Sequence, residues 1–325
     1  MKPDAFAAVM ATGIVSIAAA DHGHHVISDG LGVLAAAGLV ILVAVAAISW
    51  SKQSPDVTDV DVTVRLFTFV AACAVLDSRF ISIRGVLWTL GLLAATTWLV
   101  LGMLLVRNLV RSRWHELRES ARGAWELPSV GTSGLAIVMV MLARHTDWYA
   151  LLIAAVAMWV LAMAVYAAMT WLILARAFAA RLDPNGFEPD AWILMGGLAI
   201  ATLAGDHIHH DATGRLAEAA WLVTVGTWVV ATAWIPPLLY FGVRHARRPD
   251  ALRFAGVWWA MVFPLGMYSV ATDTTSAETG WAALTTISHV VFWIAFGSWA
   301  IVAAAGLSRL GSQTRLHLPS RHGLK

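Results

Sequence analysis

Charged residues are scarce in this chain, where they make up 13% of the 325 residues. A soluble domain normally carries about 25%. Hydrophobic residues reach 59% and form runs as long as a membrane-spanning helix needs, roughly 20 residues. The runs show no strand-like alternation of polar and apolar residues. Because helices satisfy their own backbone hydrogen bonds in lipid, the sequence predicts an all-α integral membrane protein.

Cysteine is nearly absent, since Cys73 stands alone. A single cysteine excludes a disulfide framework and a site built from several thiolates. No glycine-rich loop with a phosphate-binding lysine precedes a helix, which argues against ATP-driven transport. The chain also lacks an evident Ser–His–acid or metallohydrolase arrangement, and its formal net charge is only +2. We therefore expect no enzyme activity, no cofactor and no nucleic-acid partner.

The apolar segments predict ten transmembrane helices in one domain of residues 1–307, followed by a basic cytoplasmic tail of residues 308–325. The predicted helices cover residues 4–21, 31–50, 66–82, 83–107, 129–145, 148–176, 190–207, 216–243, 254–272 and 280–307. The first segment also has features of a cleavable signal peptide. Asp4 interrupts the positive leader, so we interpret the segment as a membrane span.

Lysine and arginine are distributed unevenly between the two ends of the predicted helices. Of the 22 such residues, all but four lie on the side of the N-terminus, and the exceptions are Arg79, Arg84, Arg144 and Arg215. Cytoplasmic connections of membrane proteins carry an excess of these residues. We therefore expect a multi-pass protein of the cell inner (plasma) membrane, in contact with its lipids, with both termini in the cytoplasm.

Odd-numbered and even-numbered predicted helices differ in composition. The odd ones are short and rich in small or hydroxylated residues, as in VGTSGLAIVMVML (130–142), whereas the even ones hold most of the 17 Trp residues. Small residues let helices approach closely, and Trp favours lipid-facing and interfacial positions. The pattern predicts five helical hairpins around a central pore, with the odd helices inner and the even helices outer. A bundle whose small residues only mediate helix packing is the alternative.

Four motifs occur in order along the chain: AFAAVMATGIVSI (5–17), WELPSVGTSGLA (125–136), WILMGGLAIATLAG (192–205) and WWAMVFPLGMYSVAT (258–272). Together they resemble the tellurite-resistance/dicarboxylate transporter family, which includes the plant guard-cell slow anion channels and the fungal malate and sulfite transporters. The resemblance implies ten helices in five hairpins around a pore, commonly in a homotrimer. It also implies passive conduction of anions and a pore-plugging phenylalanine on the ninth helix, which corresponds to Phe263.

The ninth predicted helix contains a proline directly after this phenylalanine. Pro264 predicts a kink, because proline removes a backbone hydrogen bond and clashes with the preceding turn, and Gly266 follows within the kinked region. Phe263, Gly266, Ser269 and Thr272 recur every three residues, so we place them on one face. There the ring of Phe263 would gate the passage by excluding water and ions. Packing of Phe263 between helices is the alternative.

The cores of the odd helices carry no ionisable side chain, which favours a passive path over a coupled pump. We predict a passive channel or uniporter for small inorganic or organic anions. A coupled exporter of malate or another C4-dicarboxylate, of sulfite or of tellurite is the alternative within transport, and an intramembrane enzyme that uses Asp206 and His207, His209 and His210 is the alternative outside it. The predicted lining residues are Thr12, Gly13, Ser16, Ser129, Thr132, Ser133, Gly197, Thr202 and Ser269.

Two predicted outer connections are rich in histidine and aspartate, namely DHGHH (21–25) and GDHIHHD (205–211). Such side chains bind zinc or respond to pH in other proteins. Neither stretch has a standard spacing of metal ligands, so we predict solvated loops and no metal site.

Overall fold

The structure, a computed structural model, describes residues 1–179, 188–247 and 256–316, with side chains as far as residue 309. All regular structure in these three ranges is helical. The α-helices are α1 (Ala7–Asp21), α2 (His25–Lys52), α3 (Val60–Arg79), α4 (Arg84–Arg111), α5 (Trp114–Ser120), α6 (Leu127–Thr146), α7 (Tyr149–Ala179), α8 (Ile193–Asp211), α9 (Arg215–Ala246), α10 (Trp259–Thr279) and α11 (Ala282–Leu316). Short 3₁₀ helices at Gly123–Glu126, Pro189–Trp192 and Gly256–Trp258 lead into α6, α8 and α10.

All of these helices except the short α5 occupy segments predicted to span the membrane. Among the described residues, seven helices are long and apolar enough to do so, namely α2, α4, α6, α7, α8, α9 and α11, and α1 is apolar but shorter. The helices α3 and α10 carry buried polar side chains, such as Asp77 and Thr275, which helices enclosed by other helices tolerate. The chain is therefore an all-helical, multi-pass membrane protein.

The helices pack as consecutive pairs around a closed ring. Within the pairs, α1 contacts α2, α3 contacts α4, α6 contacts α7, α8 contacts α9 and α10 contacts α11. Between the pairs, α1 contacts α3, α3 contacts α6, α6 contacts α8, α8 contacts α10, and α10 contacts α1 again. We call α1, α3, α6, α8 and α10 the inner helices and α2, α4, α7, α9 and α11 the outer helices. Because the connections within pairs are short, the inner helices all run in the same direction.

Burial separates the two sets of helices. In the most apolar stretches of the inner helices α6 and α8, 89% of the residues are buried, whereas in the most apolar stretches of the outer helices between 17% and 28% of the residues are buried. The outer helices expose large hydrophobic side chains such as Val40, Met103, Trp171 and Ile301. An exposed apolar surface of this extent fits contact with lipid.

Glycines stand where neighbouring inner helices approach most closely. A Cβ atom at any of four glycines would lie under 3.0 Å from an atom of the next helix, so these positions admit no larger side chain without a shift. The distances from such a Cβ to the nearest side-chain atom are 2.8 Å for Gly13 and Val75, 2.9 Å for Gly134 and Ala74, 2.9 Å for Gly196 and Pro264, and 2.9 Å for Gly266 and Ile14. The small residues of the inner helices therefore bring four of the five ring contacts together.

The last helix extends beyond the predicted end of the membrane domain. The predicted boundary at residue 307 falls inside α11, which continues to Leu316. The first half of the predicted tail (308–325) is thus helical, and residues 317–325 lie outside the described part of the chain.

Candidate functional site

The ring of inner helices encloses a cavity of about 270 Å³ on its axis. We call the side of the ring where the inner helices begin the N-face and the side where they end the C-face. The cavity lies toward the C-face, and each of the five inner helices contributes to its wall. Ile14, Gly134 and Ile200 form part of its apolar deep end, whereas Asp21 and Asp273 lie at its mouth. This cavity has the position expected of the vestibule of a central passage.

A second, much smaller cavity of about 20 Å³ lies toward the N-face, and again all five inner helices or their leading turns line it. Ala7, Leu127 and Ile193, which are the first residues of α1, α6 and α8, belong to its wall. The first turn of a helix carries partial positive charge, because its N–H groups have no partner within the helix. The N-face cavity therefore has an environment that favours an anion.

One arginine side chain lines the N-face cavity, and carboxylates surround it. Arg65 donates from Nε to Asp61 at 2.8 Å, and its Nη1 lies 3.7 Å from a carboxylate oxygen of Asp4. Asp190, which is buried, accepts a hydrogen bond from the backbone N–H of Ala124 at 3.2 Å. Among the described residues, the single positive side chain at this mouth is thus outnumbered by the carboxylates of Asp4, Asp61 and Asp190.

Phe263 lies on α10 at the level between the two cavities. Ala260 lines the N-face cavity, and Met267 and Val270 line the C-face cavity. At about 100° per residue, the direction of Phe263 on the helix falls between those of Met267 and Val270, so its ring faces the axis. The side chain is 0% exposed. The next residue, Pro264, lies inside a continuous α10 and packs against Gly196 of α8.

The other residues of the predicted three-residue series turn away from Phe263. Gly266 packs against α1, Ser269 donates to the carbonyl of Ser288 on α11 at 2.9 Å, and Thr272 accepts from an indole N–H of α9 at 3.1 Å. Three residues fall about 60° short of a full helical turn. The series therefore winds around α10, and the expectation of a single shared face is wrong.

Most of the hydroxyls predicted to line a pore form hydrogen bonds with outer helices. A buried hydroxyl in an apolar setting is stabilised by such a partner, and here the partner is often an indole N–H. The bonds to outer helices are Thr12 with Trp299 at 2.9 Å, Thr132 with Trp98 at 2.8 Å, Thr202 with Thr227 at 2.9 Å, Ser16 with Ser28 at 2.6 Å, and Ser269 with Ser288. Ser16 also accepts from Arg79 at the end of the inner helix α3, at 2.8 Å. In this structure these hydroxyls join inner helices to outer helices, and their role in lining a conducting path stays a prediction.

The remaining predicted lining residues lie in other packed positions. Gly13 packs against α3, as described above, and Gly197 faces the ring of Tyr166, 3.2 Å from a built Cβ. Ser129 donates to the backbone carbonyl of Glu126 at 2.8 Å. The Ser133 hydroxyl is buried and has no hydrogen-bond partner within the described part of the chain.

The positions of four acidic residues were not predicted from the sequence, although Asp206 was named there as a candidate of the alternative enzyme. Asp77 and Glu126 are fully buried, and Glu126 accepts hydrogen bonds from Thr170 at 2.7 Å and from Ser129 at 3.0 Å. Asp273 and Asp206 line the C-face cavity. The position of Asp273 could have been predicted from helical spacing, because it lies three residues after Val270 and therefore on a neighbouring face of the same helix.

The histidine-rich stretches also differ from the predicted solvated loops. Residues 205–211 form the last two turns of α8, because the helix continues to Asp211. In the 21–25 stretch, His22 is half-buried and lies 3.0 Å from the hydroxyl of Ser288. Its ring packs edge-on against that of His289, with centroids 4.9 Å apart. Burial lowers the pKa of His22 below its ordinary value, which favours the neutral ring in this packed position.

A ring of parallel helices with an axial cavity at each face, enclosed by lipid-facing helices, is the architecture of a membrane transport protein. The sequence model of the SLAC1 family, described as voltage-dependent anion channel, matches residues 1–307. The chain belongs to this family, and the predicted resemblance to the tellurite-resistance/dicarboxylate transporters is confirmed. Members of the family are channels and transporters rather than enzymes.

The chain is also similar to proteins of two organisms. An uncharacterized membrane protein of Mycobacterium tuberculosis is 32% identical over 155 residues, which are 46% of this chain and 79% of the relative. An uncharacterized transporter of Methanocaldococcus jannaschii is 22% identical over 324 residues, which are 92% of this chain and 90% of the relative. A second uncharacterized transporter of the same archaeon is 21% identical over 193 residues, which are 58% of this chain and 56% of that relative.

Proposed function

We propose that the protein is a passive channel or uniporter for small inorganic or organic anions, and that the anions move along the axis of the inner ring. The observation that carries the proposal is the pair of axial cavities, each lined by all five inner helices or their leading turns. Phe263 lies at the level between them and closes the path with an apolar ring. Such a constriction blocks ions because they would have to shed water to pass it.

The N-face cavity supports selection of anions over cations. The inner helices begin at this cavity, and each helix N-terminus carries the equivalent of about half a positive charge. Arg65 lines the same cavity together with Asp4 and Asp190, so we infer that the preference for anions rests on the helix N-termini rather than on side-chain charge. By helical phase, the level of Phe263 is bordered by Ala71, Val130 and Gly196, which provide no carboxylate or ring of carbonyls for a cation.

The C-face cavity has the opposite polarity, since Asp21, Asp206 and Asp273 lie along its wall. Negative charge there lowers the local concentration of anions. The proposed path is therefore electrically asymmetric, and anions enter more readily from the N-face than from the C-face.

The orientation, assembly and kink of the protein complete the proposal. The uneven distribution of Lys and Arg supports a cytoplasmic N-face with both termini in the cytoplasm, and it favours the plasma membrane. Family resemblance favours a homotrimer, with lipid around the exposed apolar side chains of the outer helices. The kink at Pro264 and Gly266 stays a prediction, and the contacts of these two residues with α8 and α1 support the rotation of α10 that directs the ring of Phe263 toward the axis.

A coupled exporter of a C4-dicarboxylate, sulfite or tellurite is the second candidate function. The fully buried Glu126, which is hydrogen-bonded to Ser129 and Thr170, favours it, because buried carboxyl groups in membrane helices often carry coupled protons. The described residues at the level of the proposed gate contribute no such group, which is why we favour the passive path.

Electrical recording of the purified protein in planar bilayers under a chloride gradient tests the proposal. A passive anion channel gives a reversal potential near that of chloride, and this potential does not move when a pH gradient is added. A reversal potential that follows potassium would refute anion selectivity. Flux that requires a pH gradient would replace the passive path by the coupled exporter, and substitution of nitrate, sulfite and malate for chloride would then give the order of selectivity.

A further inference from the structure

Histidine and carboxylate side chains from α8 and α10 converge at the C-face, beside the vestibule. Among the described residues, Asp206, His210 and Glu278 bring one ligand atom each within 4.8 Å of one another. Asp206 and His210 are four residues apart and lie on one face of α8, while Glu278 comes from the last turn of α10. His209 lies next to them, with Nε2 3.3 Å from the Glu278 carboxylate. The contact between two neighbouring inner helices thus assembles the cluster.

The hydrogen bonds of the two imidazoles fix which ring nitrogen faces the cluster. Nδ1 of His209 lies 2.8 Å from the carbonyl oxygen of Ala217, and Nδ1 of His210 lies 3.0 Å from the carbonyl oxygen of Asp206. A carbonyl only accepts, so each Nδ1 carries the proton. In a neutral ring Nε2 then presents a lone pair, and backbone hydrogen bonds of this kind orient the histidine ligands of metal sites.

Both Nε2 lone pairs face the carboxylate of Glu278, which in its ionised form cannot donate a hydrogen bond to them. Nε2 of His210 lies 3.2 Å from one oxygen of Glu278, and Nε2 of His209 lies 3.3 Å from the other. Two acceptors at these distances repel each other unless a cation, either a proton or a metal ion, lies between them. The cluster therefore needs positive charge at its centre.

An independent feature lies beside this centre. The side chain of Asp206 is 7% exposed and lies 3.6 Å from Nδ1 of His210. Its Oδ1 atom is buried and has no hydrogen-bond partner within the described residues. A carboxylate oxygen without a partner is costly to bury, and a bound cation would offset that cost.

We propose that this cluster binds a divalent transition-metal ion of the zinc type, with His210, Glu278 and Asp206 as ligands and His209 in reach of a fourth position. Tetrahedral zinc with bonds of about 2.0–2.2 Å places its ligand atoms roughly 3.3–3.6 Å apart. The separations of 3.2 Å between His210 and Glu278 and 3.3 Å between His209 and Glu278 are close to this range. Asp206 lies within 4.8 Å of the other ligand atoms, so its carboxylate moves inward when the ion binds. The mixture of imidazole and carboxylate ligands suits zinc better than calcium or magnesium.

The site lies where a bound ion would act on the vestibule. Asp206 belongs both to the cluster and to the wall of the C-face cavity. The His210 side chain is 53% exposed, so an ion can enter from the C-face without passing the gate. The proposal does not depend on anion conduction, because binding can be measured on protein that conducts nothing.

Calorimetric titration of ZnCl2 into the purified, chelator-treated full-length protein in detergent tests the proposal. We expect saturable binding of one zinc ion per chain and an upward shift of the melting temperature with zinc. His210→Ala and Glu278→Gln should weaken binding at least tenfold and remove the shift. Glu278→Gln keeps the shape of the side chain, so it separates loss of a ligand from loss of the fold.

The matched control is His115→Ala, which removes a histidine that also pairs with a carboxylate four residues away. His115 and Glu119 are both exposed and lie 3.3 Å apart on α5, far from α8 and α10 in the ring. Its binding should equal that of the wild type. If zinc does not bind, or if Glu278→Gln and His210→Ala bind it as tightly as the wild type, protons rather than a metal balance the cluster and the proposal is wrong.

Discussion

Replacement of Phe263 by alanine tests the proposed gate directly. In the proposed path the ring stands between a cavity of about 20 Å³ and one of about 270 Å³. A water molecule needs about 10–15 Å³ in this measure, so the smaller cavity holds about one water and an anion there is largely stripped of its hydration shell. Without the ring, the two cavities merge and water can accompany the ion across the constriction.

The size of the effect follows from the cost of desolvation. Burial of an ion in a protein costs several kcal/mol even after relaxation. If the merged cavity recovers about 3 kcal/mol of this cost, the rate of passage rises roughly 100-fold. The substitution also removes a fully buried ring, which lowers the free energy of unfolding by about 3–5 kcal/mol. Phe263→Leu, which keeps an apolar plug, should be more stable and should give a smaller increase.

Chloride efflux from liposomes with equal amounts of folded protein measures this effect. The matched control is Phe292→Ala on the outer helix α11, where the ring is also 0% exposed. We expect an increase for Phe263→Ala and none for Phe292→Ala. Equal increases in both variants would show that the leak comes from loosened packing, and unchanged efflux in Phe263→Ala would refute the gate.

Three further predictions concern charge, helix contacts and close packing. Asp273→Asn removes negative charge from the vestibule. It should lower the barrier to anion passage by about 1 kcal/mol and so raise the conductance roughly fivefold at low salt, as measured by planar-bilayer currents. The control is Asp147→Asn, which should leave the currents unchanged, because Asp147 is an exposed C-face residue outside the cavity and its positive φ of 55° is tolerated by asparagine. Thr132→Val removes the acceptor of an indole N–H on α4 and should lower the free energy of unfolding by about 1–2 kcal/mol without changing anion selectivity; altered selectivity would instead assign the hydroxyl to the path. Gly205→Ala places a Cβ onto a side-chain hydroxyl of α9, whereas the control Gly226→Ala on α9 meets nothing within 4 Å. Thermal unfolding should therefore show that the free energy of unfolding falls by about 1–3 kcal/mol for Gly205→Ala only.

The helices and their burial could be predicted because both depend on composition along the chain. Lipid-facing helices must be apolar over about 20 residues, and helices in close contact need small residues at the crossings. Gly13, Gly134, Gly196 and Gly266 belong to the small-residue pattern and lie at those crossings. The sequence therefore distinguished the buried helices from the exposed ones.

The direction of each polar side chain could not be predicted, because it depends on how each helix is rotated about its axis. Thr12 and Thr132 face outer helices rather than the axial cavities, and a rotation of less than a quarter turn decides between the two. The burial of Glu126 was equally impossible to predict. It stands in a connection by composition, yet the 3₁₀ turn before α6 carries it into the interior.

The contact between α1 and α10 makes neighbours of the first and last hairpins. The polypeptide thus has the connectivity of a closed band, in which each hairpin has two adjacent hairpins and none stands at an edge. The start of α1 and the end of α11 both lie on the side of the N-face, since every hairpin returns to the side from which it started. A circularly permuted gene could join these ends and open another connection at the N-face. Each helix would then keep the same neighbouring helices, so the order of the hairpins in the gene matters less than their order around the band.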